Sequence, residues 1–344
     1  MLAAVTEDVG RMALRDRPEP RGPGRGEVAL RPEAVGICGS DFHFFSGELS
    51  EQAGGSQFPR VQGHELAGTI VALGADCRPE LRVGQRVAVW PLRACGECYP
   101  CRAGRPNTCD RFRLIGIHLD GGLQELLLTG QEQVFAVTTD DPAVAAMAEP
   151  VSIAVRAVNR ARVTAGERML VLGAGPIGQS VCLVALERGA EVMVIDPQEH
   201  RLEMSRWLGA TTAPWFTIGQ AVRAARRWAA PAGPPVVIEA SGAPAAVRAM
   251  VEAVSSAGRA VQVGMSGEEV WLRIGNFTEK ELDLLGVSCC QAEEFAQAVE
   301  IVERNAPVLE QIISHRFPLR RAAEALQFAI EHQSDVMKVV IDGV

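Results

Sequence analysis

Several features are missing from this 344-residue sequence, and each gap removes a class of protein. No run of basic residues appears. The 34 Lys and Arg stand against 42 Asp and Glu, for a formal net charge of −8. That balance argues against nucleic acid or an anionic membrane as the main partner. No apolar run spans a bilayer. The most apolar stretch, residues 169–186, is broken by glycines and Gln179 and ends at Glu187-Arg188. The N-terminus lacks the basic start and continuous apolar stretch of a secretory signal, so a cytosolic location is expected. Internal repeats and low-complexity linkers are absent too, apart from a Pro/Gly/Arg patch at residues 17–26.

The rest of the composition is that of a soluble, well-packed chain. Hydrophobic residues make up 47% and charged residues 22%, and the length suggests two domains. Nine cysteines in a cytosolic chain point to metal or catalysis before disulfides. Up to about residue 90 the chain reads as short strands punctuated by Gly and Pro: residues 27–35, 66–74 and 85–90. This predicts a β-rich, barrel-like domain whose loops carry the chemistry.

Two segments organise that domain, GICGSDFH at 36–43 and GHE at 63–65. Cys38, His64 and Glu65 offer a thiolate, an imidazole and a carboxylate. That mixture suits a Zn²⁺ with a position left open, whereas a structural zinc more often takes four Cys, or Cys with His. Glu149, in Ala148-Glu149-Pro150, is a candidate to bind the metal or hold its water. Ser40 lies two residues beyond Cys38, within reach of an alcohol oxygen at the metal. His43 lies five beyond, placed to pass a proton outward. Each residue alone reads as structural, Cys38 as a small buried hydrophobe and His64 as a satisfied core histidine. Their combination points to a reacting metal.

Cys95, Cys98, Cys101 and Cys109 form C-x2-C-x2-C-x7-C. Four thiolates on a tight lobe make a closed tetrahedral zinc site that folds a loop too poor in apolar residues to fold alone. An iron–sulfur cluster or a redox dithiol is the alternative, but bacterial ferredoxins leave three residues before the last Cys, not seven. His118, in GIHLDGG at 116–122, reads either as a substrate contact or as a turn histidine. Residues 143–162 read as one helix with Glu149-Pro150 near its start.

At Arg168 the texture changes. A continuous apolar strand, residues 169–172, runs into Gly173-Ala174-Gly175-Pro176-Ile177-Gly178, then a helix over 179–188, then a strand over 191–195 ending at Asp196. This strand, glycine loop, helix and acidic residue form the dinucleotide-binding context. The glycines let backbone approach a pyrophosphate at the helix N-terminus. The Asp196 carboxylate can accept from the adenosine ribose hydroxyls and would repel a 2′-phosphate, which favours NAD over NADP. Arg201 could partly rescue a phosphate or lie against the adenine. Strands at 235–239, 259–264 and 282–287 continue the α/β rhythm of a parallel sheet. Gly242 and Gly264 fall just past strand ends, as cofactor-lining or ordinary turn glycines. Helices over 293–304 and 319–333 and a strand over 336–341 close the chain and return to the first domain. The expected boundaries are 1–152, with the cysteine lobe at 93–112, then 153–290 for the nucleotide domain, and 291–344 for the returning tail.

The chain resembles the zinc-dependent medium-chain dehydrogenase/reductase family along essentially its whole length. The resemblance rests on GICGSD at 36–41, GHE at 63–65, the four-Cys lobe, Glu149-Pro150, GAGPIG at 173–178 and Lys280-Glu281-Leu282. Glu65 with Glu149-Pro150 is similar to the polyol (sorbitol) dehydrogenase branch, and GIHLDGG to L-galactonate 5-dehydrogenase-like members. The resemblance implies a GroES-like catalytic domain and a Rossmann domain with the active site in the cleft between them. It implies catalytic zinc on Cys38 and His64 with Glu65, Glu149 or a water as the remaining ligand, and Ser40 and His43 as proton relay. It also implies a homodimer or homotetramer built through the Rossmann domains. The implied reaction is NAD-linked oxidation of a secondary alcohol (polyol, sugar or sugar acid) to a ketone. An amino-alcohol dehydrogenase acting on threonine or an aminocyclitol is the alternative, and a non-catalytic NAD-binding scaffold the reading from another class. One departure stands out: residues 286–291 carry no Arg to hold a substrate carboxylate. Cys77, Cys182, Cys289 and Cys290 read as small buried hydrophobes. Phe44, Phe45 and Trp90 read as pocket walls or as core.

Overall fold

A computed structural model describes residues 1–49 and 55–344. The chain divides into two compact units, Met1–Glu149 with Gln291–Val344, and Pro150–Cys290.

The first unit is built on a sheet whose strands run in the order Val134–Ala136, Arg86–Val89, Glu65–Leu73, Glu27–Gly36, Lys338–Asp342 and Ile313–Pro318. Leu127–Gly130 also pairs with Glu27–Gly36. The central strand does not simply alternate: Val28, Ala29 and Leu30 are all buried in succession. Its pairing with Glu65–Leu73 shifts register between Ala29 and Leu30 and again between Pro32 and Ala34. The second irregularity accommodates Pro32, which has no N–H to give a central ladder. Lys338–Asp342 lies antiparallel to this strand, with Val340 opposite Gly36. The C-terminal strand thus runs beside the segment that leads into Cys38. Leu2–Asp8 pairs with Arg11–Asp16 and with Arg60–Val61 in a second, small sheet.

Helices interrupt this β-rich unit where the sequence suggested loops. Gly39–Ser46 forms a helix directly after Cys38. The helix expected over 143–162 is two, Pro142–Ala146 and Ala148–Arg160, with Asp141 Oδ1 capping the first through Ala143 N at 2.8 Å. The tail contains a helix, Ala306–Ile312, and a strand, Ile313–Pro318, that periodicity did not reveal. The stretch expected as a helix over 319–333 is a 3-10 turn, Leu319–Arg321, followed by Ala322–Glu331. The cysteine lobe is closed at its base by Leu92–Arg93 paired with Arg113–Leu114.

The second unit is a six-stranded sheet in the order Thr211–Pro214, Glu191–Asp196, Arg168–Leu172, Val236–Glu239, Arg259–Gln262 and Asp283–Gly286. Every pairing is parallel. In chain order this is 3-2-1-4-5-6, the doubly wound arrangement, with its switch point between Arg168–Leu172 and Val236–Glu239. Leu170, Val171, Val237 and Ile238 are wholly buried, as central strands of such a sheet require. Each such side chain contributes roughly 1.5–3 kcal/mol by leaving water. The sheet also orders the loops at its carboxyl edge, where Gly173, Ala240 and Gly264 fall.

Candidate active site

Donor atoms of Cys38, His64 and Glu65 lie within 4.8 Å of one another. Local backbone requirements bring them together. Gly36 is paired with Glu65 across the sheet. A Cβ on Gly36 would fall 2.1 Å from Glu65 Oε2 and 3.0 Å from Lys338 Cε. The first glycine of the GICGSD segment therefore makes the space that the Glu65 carboxylate and the Lys338 stem occupy. Gly63 holds φ +97°, a conformation that a side chain resists, and delivers His64 at the start of the next strand. Gly116 and Gly121 pack their backbones directly on Gly63, where a Cβ on either would lie under 3 Å from its carbonyl oxygen. The GIHLDGG stretch thus acts as a close backing for the His64 turn. Asp120 within it accepts from Arg17, Arg60 and Val61 N, tying that backing to the neighbouring strands.

The site is strongly charged for its depth. Asp41, His64, Glu65, Glu149 and Lys338 are all buried. Lys338, one of two lysines in the sequence, forms an ion pair with Glu65 and donates to Ile37 O at 3.0 Å. Asp41 Oδ2 accepts from Cys38 N at 2.9 Å, and Asp41 Oδ1 lies 3.8 Å from His64 Nδ1. Burial pushes the Glu149 carboxyl up to about 7; Glu65 and Asp41 add to this, and His64 and Lys338 oppose it. Burial also raises Asp41, against the pull of His64 and the Cys38 N–H. Burial disfavours charge on His64, but Asp41, Cys38 and Glu149 outweigh it and hold the imidazole well above its ordinary value. Lys338 is likewise raised by Glu65 and Cys38 against its own burial. Three carboxyls and a thiol thus face one ammonium and one imidazole. A thiol, an imidazole and a carboxylate converging beside two further buried carboxyls fit a divalent zinc ion.

Ser40 and His43 lie on helix Gly39–Ser46. Ser40 Oγ is 3.3 Å from His64 Nε2, so its hydroxyl faces the Cys38, His64 and Glu65 trio. The His43 ring is partly solvent-exposed, with Nδ1 4.0 Å from Glu48. His118 is a turn histidine: its Nδ1 accepts from Leu114 N at 3.0 Å, and its ring packs edge-on against Phe112. Phe44 packs with Leu49 and Ile117 in a small core, and Phe45 belongs to the main core of the unit. Trp90 is buried, and its indole Nε1 has no hydrogen-bond partner among the described residues. Cys182 and Cys290 are buried as expected, whereas Cys77 and Cys289 are only partly so.

The thiol sulfurs of Cys95, Cys98, Cys101 and Cys109 also converge within 4.8 Å. Cys98 Sγ lies 3.4 Å from Cys101 Sγ and 3.7 Å from Cys109 Sγ. Backbone N–H groups of Glu97 and Cys98 lower Cys95 to about 6, and those of Cys95 and Arg111 point at Cys109 Sγ at 3.3 Å. Four sulfurs held this close, with N–H groups aimed at Cys95 and Cys109, fit the donor set of a closed tetrahedral zinc site.

In the second unit, Gly173 takes φ +98°, and a Cβ on Gly178 would lie 1.9 Å from Gly173 O. Those two glycines serve the tight turn and the close helix packing. A Cβ on Gly175 meets only Arg201 Nη1, at 3.9 Å, so that face is open to a diphosphate. Pro176 and Ile177 open the helix Pro176–Glu187. Asp196 is buried, and its two oxygens accept from Ala174 N at 2.7 Å and Gln198 N at 2.8 Å. It therefore braces the glycine loop from the end of strand Glu191–Asp196. Gly242 holds φ +74°, and a Cβ on Gly264 would lie 2.1 Å from Gly242 N. The two glycines adjoin at the switch-point edge.

Three groups were not legible in the sequence. Lys338 sits in an apolar closing strand. Gln62 immediately precedes the GHE segment. Glu239 is a fully buried strand-end carboxylate that accepts from Ser241 N, Gly242 N and Gln262 Nε2. A lone Lys in Val-Met-Lys-Val-Val-Ile was a faint signal; the other two had none.

Comparison with known proteins places this geometry in context. Residues 24–139 match the alcohol dehydrogenase GroES-like domain, and residues 176–304 the zinc-binding dehydrogenase model. L-Galactonate-5-dehydrogenase of Escherichia coli K12 is 33% identical, covering 93% of this chain and 92% of its own. D-Xylulose reductase of Saccharomyces cerevisiae is 31% identical over 99% and 97%. The rspB protein of Escherichia coli CFT073, described as a short chain alcohol dehydrogenase and solved with NADH, superposes with a TM-score of 0.88 at 29% identity, covering 99% of both chains.

Proposed function

We propose that this chain, which belongs to the zinc-binding alcohol dehydrogenase family with a GroES-like domain, oxidises a secondary alcohol of a polyol, sugar or sugar acid to the ketone and delivers the hydride to NAD. The observation that carries this reading is the convergence of half-buried Cys38 with buried His64 and Glu65, with Lys338 on the carboxylate, in a chain that also holds a glycine loop braced by Asp196. In this reading Cys38, His64 and Glu65 hold the catalytic zinc, with Glu149 beside them, and Cys95, Cys98, Cys101 and Cys109 hold a structural zinc. When bound, the catalytic zinc would lower the pKa of the substrate hydroxyl toward neutrality, as it does for a bound water.

The chain's own residues manage the proton and the geometry. The Ser40 hydroxyl takes the proton from the substrate hydroxyl, and His43 hands it to solvent from its exposed ring. Lys338 restrains one Glu65 oxygen, so a metal at the trio would share this carboxylate with an ammonium. Glu149, poised near neutrality, accommodates a proton or a water at the site. Asp196 orients the adenosine ribose and selects NAD over NADP. The reaction balances as alcohol plus NAD⁺ giving ketone, NADH and a proton.

Relatives are named for L-galactonate, xylulose and sorbitol, which supports a polyhydroxylated substrate. The functional division we propose is 1–152 for catalysis, 153–290 for NAD and 291–344 as the returning tail. We further propose a cytoplasmic homodimer or homotetramer. The exposed edge strand Asp283–Gly286 with exposed Trp271 and Ile274 supports association through the nucleotide unit, and five cysteines placed as zinc ligands fit a reducing compartment.

The test is NADH formation by zinc-loaded protein with sorbitol, xylitol, galactitol, inositol, L-galactonate, L-idonate and threonine, each with NAD and with NADP. A polyol or sugar-acid hit with NAD supports the reading. A threonine hit replaces it with an amino-alcohol dehydrogenase. Silence with two zinc ions and NAD bound would favour a non-catalytic scaffold.

A further inference from the structure

We infer that Gln62, steadied by Thr6, is a positioning residue for the metal-binding face of His64. The inference rests on the reading of Cys38, His64 and Glu65 as the catalytic zinc site. Four polar side chains form a line into that site. Thr6 Oγ1 donates to Gln62 Oε1 at 2.6 Å. Gln62 Nε2 donates to both Asp41 O and Asp41 Oδ1 at 3.1 Å. Asp41 Oδ1 faces His64 Nδ1 at 3.8 Å, and the other edge of the ring, Nε2, faces Ser40 and the donor trio. Thr6, Gln62, Asp41 and His64 are all at most 5% exposed.

This arrangement does more than fill space. Asp41 O and Oδ1 are acceptors, so the amide must present Nε2 to them and leave Oε1 for the Thr6 hydroxyl. Gln62 thereby grips the same carboxylate oxygen that confronts His64 Nδ1. With Nδ1 turned to that carboxylate at 3.8 Å, the ring directs Nε2 toward Ser40 and away from Asp41, and outer partners of this kind govern ligand orientation. Gln62 is also chain neighbour to Gly63, so one backbone turn carries both the ligand and the group that steadies its partner. Thr6 anchors the line in strand Leu2–Asp8, which pairs with Arg60–Val61 just before Gln62. In this low-dielectric setting an unmade hydrogen bond is felt strongly by its neighbours.

The test measures zinc affinity of the full chain by competition with a chromogenic chelator, with Cys38→Ser and Cys98→Ser assigning the two zinc ions to their sites. Gln62→Met is expected to weaken the catalytic zinc by roughly 10–100-fold, the range for lost outer partners, and to leave the four-cysteine zinc unchanged. Thr6→Val should shift affinity in the same direction by less, and Thr6→Ser should restore it. The visible bands of cobalt at the catalytic site should change in Gln62→Met and in Thr6→Val. Unchanged catalytic affinity in both variants overturns the inference, and so does equal weakening of both zinc sites, which would be general loosening. If Gln62→Met does not fold, the Thr6 pair decides alone. Retention of two zinc ions by Cys38→Ser would instead overturn the site reading itself, and the inference with it.

Discussion

Replacing Lys338 with Met is the sharpest perturbation of the buried charge cluster. The ammonium is 3% exposed and the Glu65 side chain it pairs with is 1% exposed, so neither charge has water to fall back on. Met keeps most of the stem volume and removes the charge and the donor to Ile37 O. Breaking a buried pair by deleting one partner costs about 3–5 kcal/mol, because the remaining charge is uncompensated. For a unit of this size a loss of that order lowers the melting temperature by roughly 6–20 °C. The zinc-stripped protein should show the whole effect. Zinc loading should return part of it, since a divalent cation can neutralise Glu65 in place of the ammonium. The assay is thermal unfolding of wild type and Lys338→Met, each with and without zinc. A fall under about 2 °C in the stripped protein would mean that the carboxylate is not dependent on Lys338, and the account of the cluster would be wrong.

Three other outcomes can be checked separately. Gly36→Ala places a methyl where Glu65 Oε2 and the Lys338 stem now lie, so catalytic zinc should be lost and stability should fall by roughly 1–3 kcal/mol, read by metal content and melting. Asp196→Ala removes the brace on Ala174 N as well as the ribose acceptor, so NADH should bind at least about tenfold more weakly and the preference over NADPH should narrow, read by fluorescence titration. Burial opposes the charge of Asp141, but the Arg316 guanidinium and the Ala143 N–H hold its carboxyl below the ordinary value. Its stabilisation is therefore present at neutral pH and is lost as pH falls through the lowered value. Asp141→Asn keeps a cap but loses the ion pair, so it should cost up to about 1 kcal/mol at pH 7, with the gap to wild type closing below about pH 4. A gap that persists in acid would mean that the charge of Asp141 is not what stabilises this corner.

Short-range spacing made much of this protein legible. Four cysteines within fifteen positions had to form one compact lobe, because so short a segment cannot spread them. A strand, three glycines and a helix in succession specify a phosphate-binding turn through backbone sterics alone, and Asp196 follows at the end of the next strand. Cys38, Ser40 and His43 likewise share one helix start. Local pattern was less informative where a break depends on context. The break between Pro142–Ala146 and Ala148–Arg160 is marked only by Pro150, which has no N–H to bond Ala146 and so sits in the first turn of a new helix.

The tertiary structure alone decided how the site is held. Lys338 reaches Ile37 across 301 positions because its strand pairs antiparallel with Glu27–Gly36. Thr6 reaches Gln62 across 56 positions because Leu2–Asp8 lies beside Arg60–Val61. The four-cysteine lobe and the glycine loop each depend on neighbours within a few turns of chain, so sequence by itself determined them. The charge balance around Cys38, His64 and Glu65 depends on strands that meet only when the whole sheet closes, and no local window encodes that pairing.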